Sequence, residues 1–322
     1  MISGDNSMPA VSVTEVDPNI LEGDVLVDVH FAGINFKDSL VTRPNNKVAR
    51  ITPLIGGVDL AGTVLSDSTG TYEPGAAVLG TGHGIGTSWH GGFAERARLP
   101  VGWVSPLPAG LDQRAAMILG TAGWTAMASL LELERSGLVP SDGPLLVTGA
   151  AGGVGSTAVA LAAAAGFDVA ASSGRAQEAD FLHQLGAQRV IGRDEIGDAS
   201  PRVLGEERWA GAIDCVGGET LTQIIRSLRY GGAVAASGMT GGDRFTSSIF
   251  PFIVRAVQLL GIDSVEVAPP KRHHVWQQLA QRFPPQLLDT ILEREISLDD
   301  VPELLELIGS GQVRGRVIVE IT

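Results

Sequence analysis

The chain has 322 residues, 44% of them hydrophobic and 18% charged, with a formal net charge of −13. That length accommodates two cores, and the acidic balance repels phosphate backbones and anionic lipid, so neither a nucleic-acid nor a membrane partner is expected. The single cysteine, Cys215, excludes an internal disulfide and a four-cysteine zinc site. The opening MISGDNSMPAV has no basic start and no apolar run, so no secretory signal is expected and a cytoplasmic protein is.

In chain order, residues 11–34 alternate apolar and polar positions, most clearly in VLVDVHFAGI, which predicts a strand. The polar cluster Asn35-Phe36-Lys37-Asp38-Ser39-Leu40 follows at once, then a loop with Arg43 and Arg50. PLIGGVDLAGTVLSD and EPGAAVLG predict further strands, so the chain to about residue 110 reads as a compact, β-rich, barrel-like domain. QRAAMILGTAGWTAMASLLELE has helical spacing interrupted between Gly120 and Gly123, which predicts two helices. The strands LLVTG, DVAAS, RVIG, GAIDCV, GGAVAASG and VQLLGID then alternate with helices. This is the pattern of an α/β domain with a doubly wound parallel sheet and its ligand at the carboxyl ends of the strands. HHVWQQLAQRF, LLDTILERE and VPELLELIGS predict helices, and RVIVEI a closing strand. Residues 143–167 carry no charge and are long enough to span a bilayer. Gly149, Gly152, Gly153 and Gly155 divide them into a strand and a helix, which fits a buried core instead.

The stretch LLVTGAAGGVGS, residues 145–156, predicts a strand turning tightly into a helix, whose N-terminal N–H groups and dipole favour a pyrophosphate. The dinucleotide register is A-x-G-x-x-G on Ala150, Gly152 and Gly155. Ala151, Gly153 and Val154 complete the loop. Gly152 admits a phosphate to the backbone, and Gly155 lets the helix approach the strand. An NAD site carries an acid at the end of the next strand, about 20 residues on. Here that strand ends in Ser172-Ser173-Gly174-Arg175, and the nearest acid, Asp168, stands at its beginning. Hydroxyls, amides and a guanidinium suit a 2′-phosphate, so NADPH is the expected cofactor.

These features resemble the medium-chain dehydrogenase/reductase superfamily. NFKDSL, GGVDLAGTV, GTAGWTAM, VTGAAGGVGSTAVAL, SGR, WAGAIDCVGG and FPFIVRAVQLLGIDSV resemble its zinc-free, quinone-oxidoreductase-like branch, in the acrylyl-CoA reductase group. The resemblance runs from about Val25 to the end, and the N-terminus departs from the pattern by lacking the first residues of the opening strand. It implies a GroES-like domain over residues 1–118, a Rossmann domain over 119–262, and a C-terminal part, 263–322, completing the first. It also implies cofactor contacts at Phe36, Arg193, Met239, Ile253, Ser264 and Gln312. A homodimer through VQLLGIDSV is expected, because an apolar strand at a sheet edge invites a symmetric partner.

In the zinc alcohol dehydrogenases of this superfamily, the positions of Asn35 and Val58 are cysteine and histidine ligands. Neither residue here binds zinc, no cysteine lies near Thr121, and His83 and His90 sit in a glycine-rich loop, so no metal is expected. Without a Lewis acid, alkoxide chemistry loses its stabiliser. Hydride addition to a conjugated alkene instead requires enolate stabilisation and protonation of the α carbon. Asn35, Lys37 and Asp38 are the candidate catalytic groups: Asn35 as a donor to a carbonyl or to the nicotinamide ribose, Lys37 and Asp38 as a pair that orients the loop or relays a proton. Related reductases often have tyrosine at Phe36, so a phenolic proton donor is excluded there. Asp59 reads as a structural hydrogen-bonding group, and Cys215 as a small buried residue. Three activities stay open: an NADPH-dependent reductase of acrylyl-CoA or a similar short enoyl thioester, a quinone or enone reductase without CoA specificity, and a non-catalytic NADPH-binding protein.

Overall fold

The computed structural model describes residues 1–4, 7, 9–198 and 202–321. In chain order they form β1 (Ile2–Ser3), β2 (Ala10–Val11), β3 (Val25–Gly33), α1 (Phe36–Leu40), β4 (Asp59–Asp67), β5 (Ala77–Thr81), β6 (Arg96–Leu99), β7 (Val104–Pro106) and α2 (Gln113–Arg135). The alternating strands and helices are β8 (Leu145–Thr148), α3 (Gly153–Ala164), β9 (Val169–Ser172), α4 (Ala179–Gln184), β10 (Arg189–Ile191), β11 (Trp209–Asp214), α5 (Gly218–Ser227), β12 (Leu228–Ala236), α6 (Phe250–Val254) and β13 (Gln258–Gly261). The chain closes with α7 (Pro269–Arg282), α8 (Leu288–Ile291), β14 (Leu292–Ile296), α9 (Val301–Gly309) and β15 (Arg316–Glu320).

Two compact units result. One comprises Met1–Thr121, Ser264–Ala280 and Leu292–Thr322, the other Ala122–Asp263 and Gln281–Ile291. The C-terminal part therefore does not belong wholly to the first unit. Gln281–Ile291 joins the second, where the Arg282 guanidinium grips the Glu134 carboxylate with Nη1 at 2.9 Å from Oε2.

In the first unit β3 is the hub. It pairs antiparallel with β4, β6 and β15, and its alternate residues Val25, Val27 and Val29 enter a core with Leu60, Val64, Leu99, Val317 and Val319. Each such side chain contributes about 1.5–3 kcal/mol of burial. The register sets Gly33 opposite Asp59 on one side and Ile318 on the other, so the end of β3, the start of β4 and the start of β15 converge. Residues 292–295, expected to be helical, form most of β14 instead, parallel to β15. Pairing along an existing strand overrides the weak helix preference of four residues beyond α8.

In the second unit the sheet order is β10-β9-β8-β11-β12-β13, all parallel, with the chain reversing direction of travel between β8 and β11. This is the order of a dinucleotide-binding fold. Strands β8, β9 and β11 are buried at every residue, as helices on both faces require. β13 pairs only with β12, at the sheet edge where the sequence placed it. The apolar helix α2 is long enough to cross a membrane by length and composition, but 83% of its apolar window is buried within the protein. It is also broken at Gly120 (φ 54°, ψ −159°), where two helices were expected.

Candidate active site

The second unit forms a cradle at the carboxyl ends of its central strands. The tight turn after β8 is made by Gly149 at φ +59°, so Ala150 needs no glycine and the departure from the strict fingerprint costs nothing. Gly152 stands just before α3, and a Cβ on Gly155 would lie 2.3 Å from the Gly149 carbonyl oxygen; the helix backbone rests on the loop. Gly153 and Val154 are the first residues of α3. At the end of β9, the Ser173 Oγ accepts from the Arg175 N–H at 3.1 Å, and the Arg175 guanidinium reaches back to the Ala151 carbonyl at 3.1 Å. The Arg193 guanidinium lies against Gly174, where a Cβ would meet it at 2.6 Å. The loop 150–155, Ser173, Gly174, Arg175 and Arg193 are thus brought together, with Asp168 on the opposite strand end, paired to Arg189 at 3.0 Å.

Beneath this cradle lies a buried carboxylate that sequence reasoning passed over. Asp214 accepts from the Thr148 hydroxyl at 2.6 Å, the Val216 N–H at 3.1 Å and the Gly217 N–H at 2.9 Å. The loop it holds is bonded to the one after β12, through Ser237 N–H to the Asp214 carbonyl (3.0 Å) and Gly241 N–H to the Val216 carbonyl (2.7 Å). Met239 sits on that second loop, exposed, and Ile253 is exposed on α6. Cys215 keeps part of its residue surface exposed while its thiol is buried, and that burial, with Asp214 adding to the shift, pushes the thiol up to about 12. The shift runs opposite to that of an activated thiolate.

In the first unit the converging strand ends build a second constellation. Asp59 is fully buried and accepts from the Asn35 amide at 2.7 Å, the Thr121 N–H at 2.8 Å and the Thr121 hydroxyl at 2.5 Å. Arg316, buried at the start of β15, donates to the carbonyls of Ile118 and Ile34, each at 2.8 Å, and to Asn35 Oδ1 at 3.2 Å, with Nη2 3.9 Å from Asp59. Gly120 and Gly33 make room for it. A Cβ on Gly120 would meet Asp59 Oδ2 at 2.5 Å and Arg316 Nη2 at 2.7 Å. Burial lowers the Arg316 pKa, opposed by Asp59 and Asp38.

Asp38 is fully buried, and its two oxygens accept from the Asn35 N–H (2.8 Å) and the Val58 N–H (3.0 Å). Burial pushes its carboxyl up to about 7, helped by nearby Asp59 and opposed by those two bonds and by Arg316. The expected Lys37–Asp38 pair is therefore not formed. Asp38 turns inward to cap the chain, while Lys37 is half-buried with no hydrogen bond or ion pair among the described residues. The Asn35 amide also turns inward, its nitrogen donating to Asp59 and, at 3.3 Å, to the Gly33 carbonyl. Phe36 lies under the Arg43 guanidinium, 5.6 Å from the ring centroid. Ser264 and Gln312 belong to this unit, Ser264 accepting from Arg272 at 3.0 Å and Gln312 donating to Ser310 at 3.0 Å.

Arg316 and Thr121 were not singled out from the sequence. The readable signal was an arginine opening an otherwise apolar strand, since such a side chain is buried only when its donors are satisfied.

These residues do not fit a metal. Asn35 and Val58 offer no ligand, and a permanent guanidinium occupies the polar cluster. His83 stacks on Trp103, while the His90 Nδ1 accepts from the Ile55 N–H at 3.1 Å. Among the described residues no three His, Cys, Asp or Glu side chains group to hold an ion.

An alcohol dehydrogenase GroES-like domain matches residues 21–109, and a zinc-binding dehydrogenase domain matches residues 153–283. With the fold and both constellations, this places the chain in the medium-chain dehydrogenase/reductase superfamily, to which it belongs. Its relatives include the acrylyl-CoA reductase AcuI of Ruegeria pomeroyi, 44% identical over 93% of this chain and 90% of that protein. The crystal structure of YhdH from Escherichia coli K-12 with bound NADPH superposes with a TM-score of 0.96 at 42% identity, covering 100% of this chain and 99% of that one. That of YhfP from Bacillus subtilis with NAD bound also scores 0.96, at 41% identity, covering 99% and 97%.

Proposed function

We propose that the protein reduces the carbon–carbon double bond of acrylyl-CoA, or of a similar short enoyl thioester, with NADPH and without a metal. The observation that carries the reading is that Asn35 and Val58, at the positions that hold metal ligands in the zinc alcohol dehydrogenases, offer none, the Asn35 amide being engaged instead by buried Asp59 and Arg316. The likeness to an acrylyl-CoA reductase over nearly the whole chain supports the substrate class. A cytoplasmic location suits a reaction that consumes NADPH and a CoA thioester.

The 2′-phosphate of the cofactor falls to Arg175 and Arg193, with Ser173 and the Gly174 amide, and the pyrophosphate to the loop 150–155. When bound, NADPH supplies a hydride to the carbon β to the thioester carbonyl. Lys37, with no hydrogen-bond or ion-pair partner among the described residues, holds the proton that the α carbon takes up, or solvent supplies it, since Phe36 has no hydroxyl. Asp38 fixes the backbone at Asn35 and Val58 and so positions Phe36 and Lys37. Asn35 acts first as a positioning residue; a direct role on the carbonyl requires it to release Asp59 or Gly33.

Purified protein should convert acrylyl-CoA to propionyl-CoA, with deuterium from C4-labelled NADPH only at the β carbon and solvent deuterium at the α carbon, the latter slower in Lys37→Ala. Dialysis against a chelator should leave turnover intact. NADPH oxidation with quinones and none with short enoyl thioesters would replace this reading by a quinone or enone reductase. Cofactor binding without oxidation by either substrate class would leave a non-catalytic binding protein.

A homodimer through β13 accompanies this reading. The strand has one unpaired edge among the described residues, and Ile249, Phe250, Val254 and Leu259, on or near α6 and β13, are exposed. Light scattering at micromolar concentration should give twice the chain mass, and Leu259→Glu should reduce it to one.

A further inference from the structure

The chain is strongly acidic, yet its cations are unevenly placed. Two of its three lysines, Lys37 and Lys47, fall within the fourteen residues 37–50, together with Arg43 and Arg50. Between Asp28 and Asp59 the only acid is Asp38, which is buried with both oxygens on backbone N–H groups. Elsewhere several arginines pair with carboxylates, Arg114 with Glu295, Arg189 with Asp168, Arg226 with Asp198 and Arg282 with Glu134, although Arg96, Arg98, Arg193, Arg229 and Arg244 do not among the described residues. Lys37, Lys47 and Arg50 have no such partner among the described residues. Glu303 and Glu306, exposed on the neighbouring α9, form no ion pair with them.

The segment is also held in shape. Asn46 accepts from the Val48 and Ala49 N–H groups at 3.0 and 2.8 Å and donates to the Val41 and Arg43 carbonyls at 3.1 and 2.9 Å. The Arg43 guanidinium bonds the Gly309 carbonyl at 2.7 Å while covering Phe36. A cavity of about 170 Å³ opens beside this loop, lined by polar Ser3, Asn46, Arg50 and Thr52 among apolar neighbours.

We infer that the segment from Lys37 to Arg50 is a binding rim for the phosphates of the thioester's nucleotide tail, with Lys47 and Arg50 as its outer contacts. The inference rests on the enoyl-thioester reading and deepens it. Coenzyme A carries a diphosphate and a 3′-phosphate; a protein of this net charge repels such a group except where uncompensated cations gather. Starting at Lys37, the rim would draw the phosphates to the outer loop while leaving the acyl end beside α1. It differs from the cofactor cradle, whose arginines lie in the other unit.

The test is the charge reversal Lys47→Glu/Arg50→Glu, both residues exposed and outside the catalytic groups. KM for acrylyl-CoA should rise about tenfold or more, with kcat little changed, and raised salt should lower kcat/KM in the wild type far more than in the variant. Acrylyl-N-acetylcysteamine, a thioester without phosphates, should be reduced equally by both proteins, and the NADPH Kd should not move. Equal effects on the two thioesters, or none on either, would overturn the rim. Calorimetric titration of the NADP⁺-loaded proteins with free CoA decides separately. Weaker binding by the variant supports the rim, and identical binding, or none by the wild type, overturns it. Failure of the enoyl-thioester reading is distinguishable, because the wild type would then reduce neither thioester.

Discussion

The two units each bury an aspartate at a strand end, and the two are solved differently. Asp59 opens β4 and Asp214 closes β11; both are fully buried and accept from a threonine hydroxyl, Asp59 with one backbone N–H and the Asn35 amide besides, Asp214 with two backbone N–H groups. Asp59 shares its pocket with the Arg316 guanidinium and lies near a second carboxylate, Asp38. Asp214 has no ion pair among the described residues and relies on dipoles, and burial raises its carboxyl pKa against the pull of its three bonds. The first arrangement is a closed charge cluster that locks three strand ends and the Gly120 kink. The second is a neutral-donor clasp that sets loop shape. In the second unit the cations Arg175 and Arg193 stand instead at the carboxyl end of β9, beside Ser173 and Gly174.

The largest effect should come from breaking the charge cluster. Arg316→Met leaves two buried carboxylates uncompensated and should cost about 3–5 kcal/mol in denaturant unfolding. Adding Asp59→Asn should recover part of that loss. A double variant as unstable as the sum of the singles would show that the 3.9 Å approach carries no coupling.

Asp38 sharpens the same contrast through pH. Its folded pKa, about 7, lies above the ordinary carboxyl value. Its stabilising contribution is therefore fully present below about pH 4 and lost as pH rises through about 7, a change of up to about 4 kcal/mol. Asp38→Asn cannot titrate, so the stability of wild type minus variant should fall steadily across that window. A flat difference would mean that the carboxyl is ionised throughout.

Asp214→Ala should be milder, because no opposite charge is orphaned: about 1–3 kcal/mol for the unsatisfied donors on Thr148, Val216 and Gly217. It should also weaken NADPH binding through the displaced loops, whereas Arg316→Met acts mainly on stability.

Legibility in the sequence followed the range of the interaction. The parallel alternation of strands and helices around LLVTGAAGGVGS was readable because each parallel strand is a continuous apolar run separated from the next by a helix. The Gly120 break was readable because glycine interrupts a helical period locally. The turn glycine, Gly149, was not, because the fingerprint was aligned on Ala150 and only the backbone tells which residue takes the positive φ. The Arg316 cluster joins residues from four separated segments, held by the β3–β4 and β3–β15 registers. No local pattern encodes that meeting. Asn35 and Asp38 were legible as polar residues at a strand end, but the inward direction of their side chains was not.

The smallest effect should fall on ligand binding alone. Arg175 is tied to the protein by its bond to the Ala151 carbonyl, and with Arg193 it flanks Ser173 and Gly174 at the end of β9. The side chain is partly exposed and its bond to Ala151 is to a neutral carbonyl, so its removal should change unfolding little. A 2′-phosphate would lose a charge-assisted hydrogen bond, weakening NADPH by about 1–3 kcal/mol. NADH has no such phosphate and should bind Arg175→Ala nearly as it binds the wild type. The Bacillus subtilis relative crystallised with NAD has the same overall fold, so the backbone alone does not choose between the cofactors. We propose that the choice rests on side chains at the strand end, where Arg175 is partly and Arg193 well exposed, unlike the enclosed guanidinium of the first unit. Equal losses for NADPH and NADH in a fluorescence titration would mean that Arg175 supports the loop through Ala151, as Asp214 does from below, and does not read the phosphate.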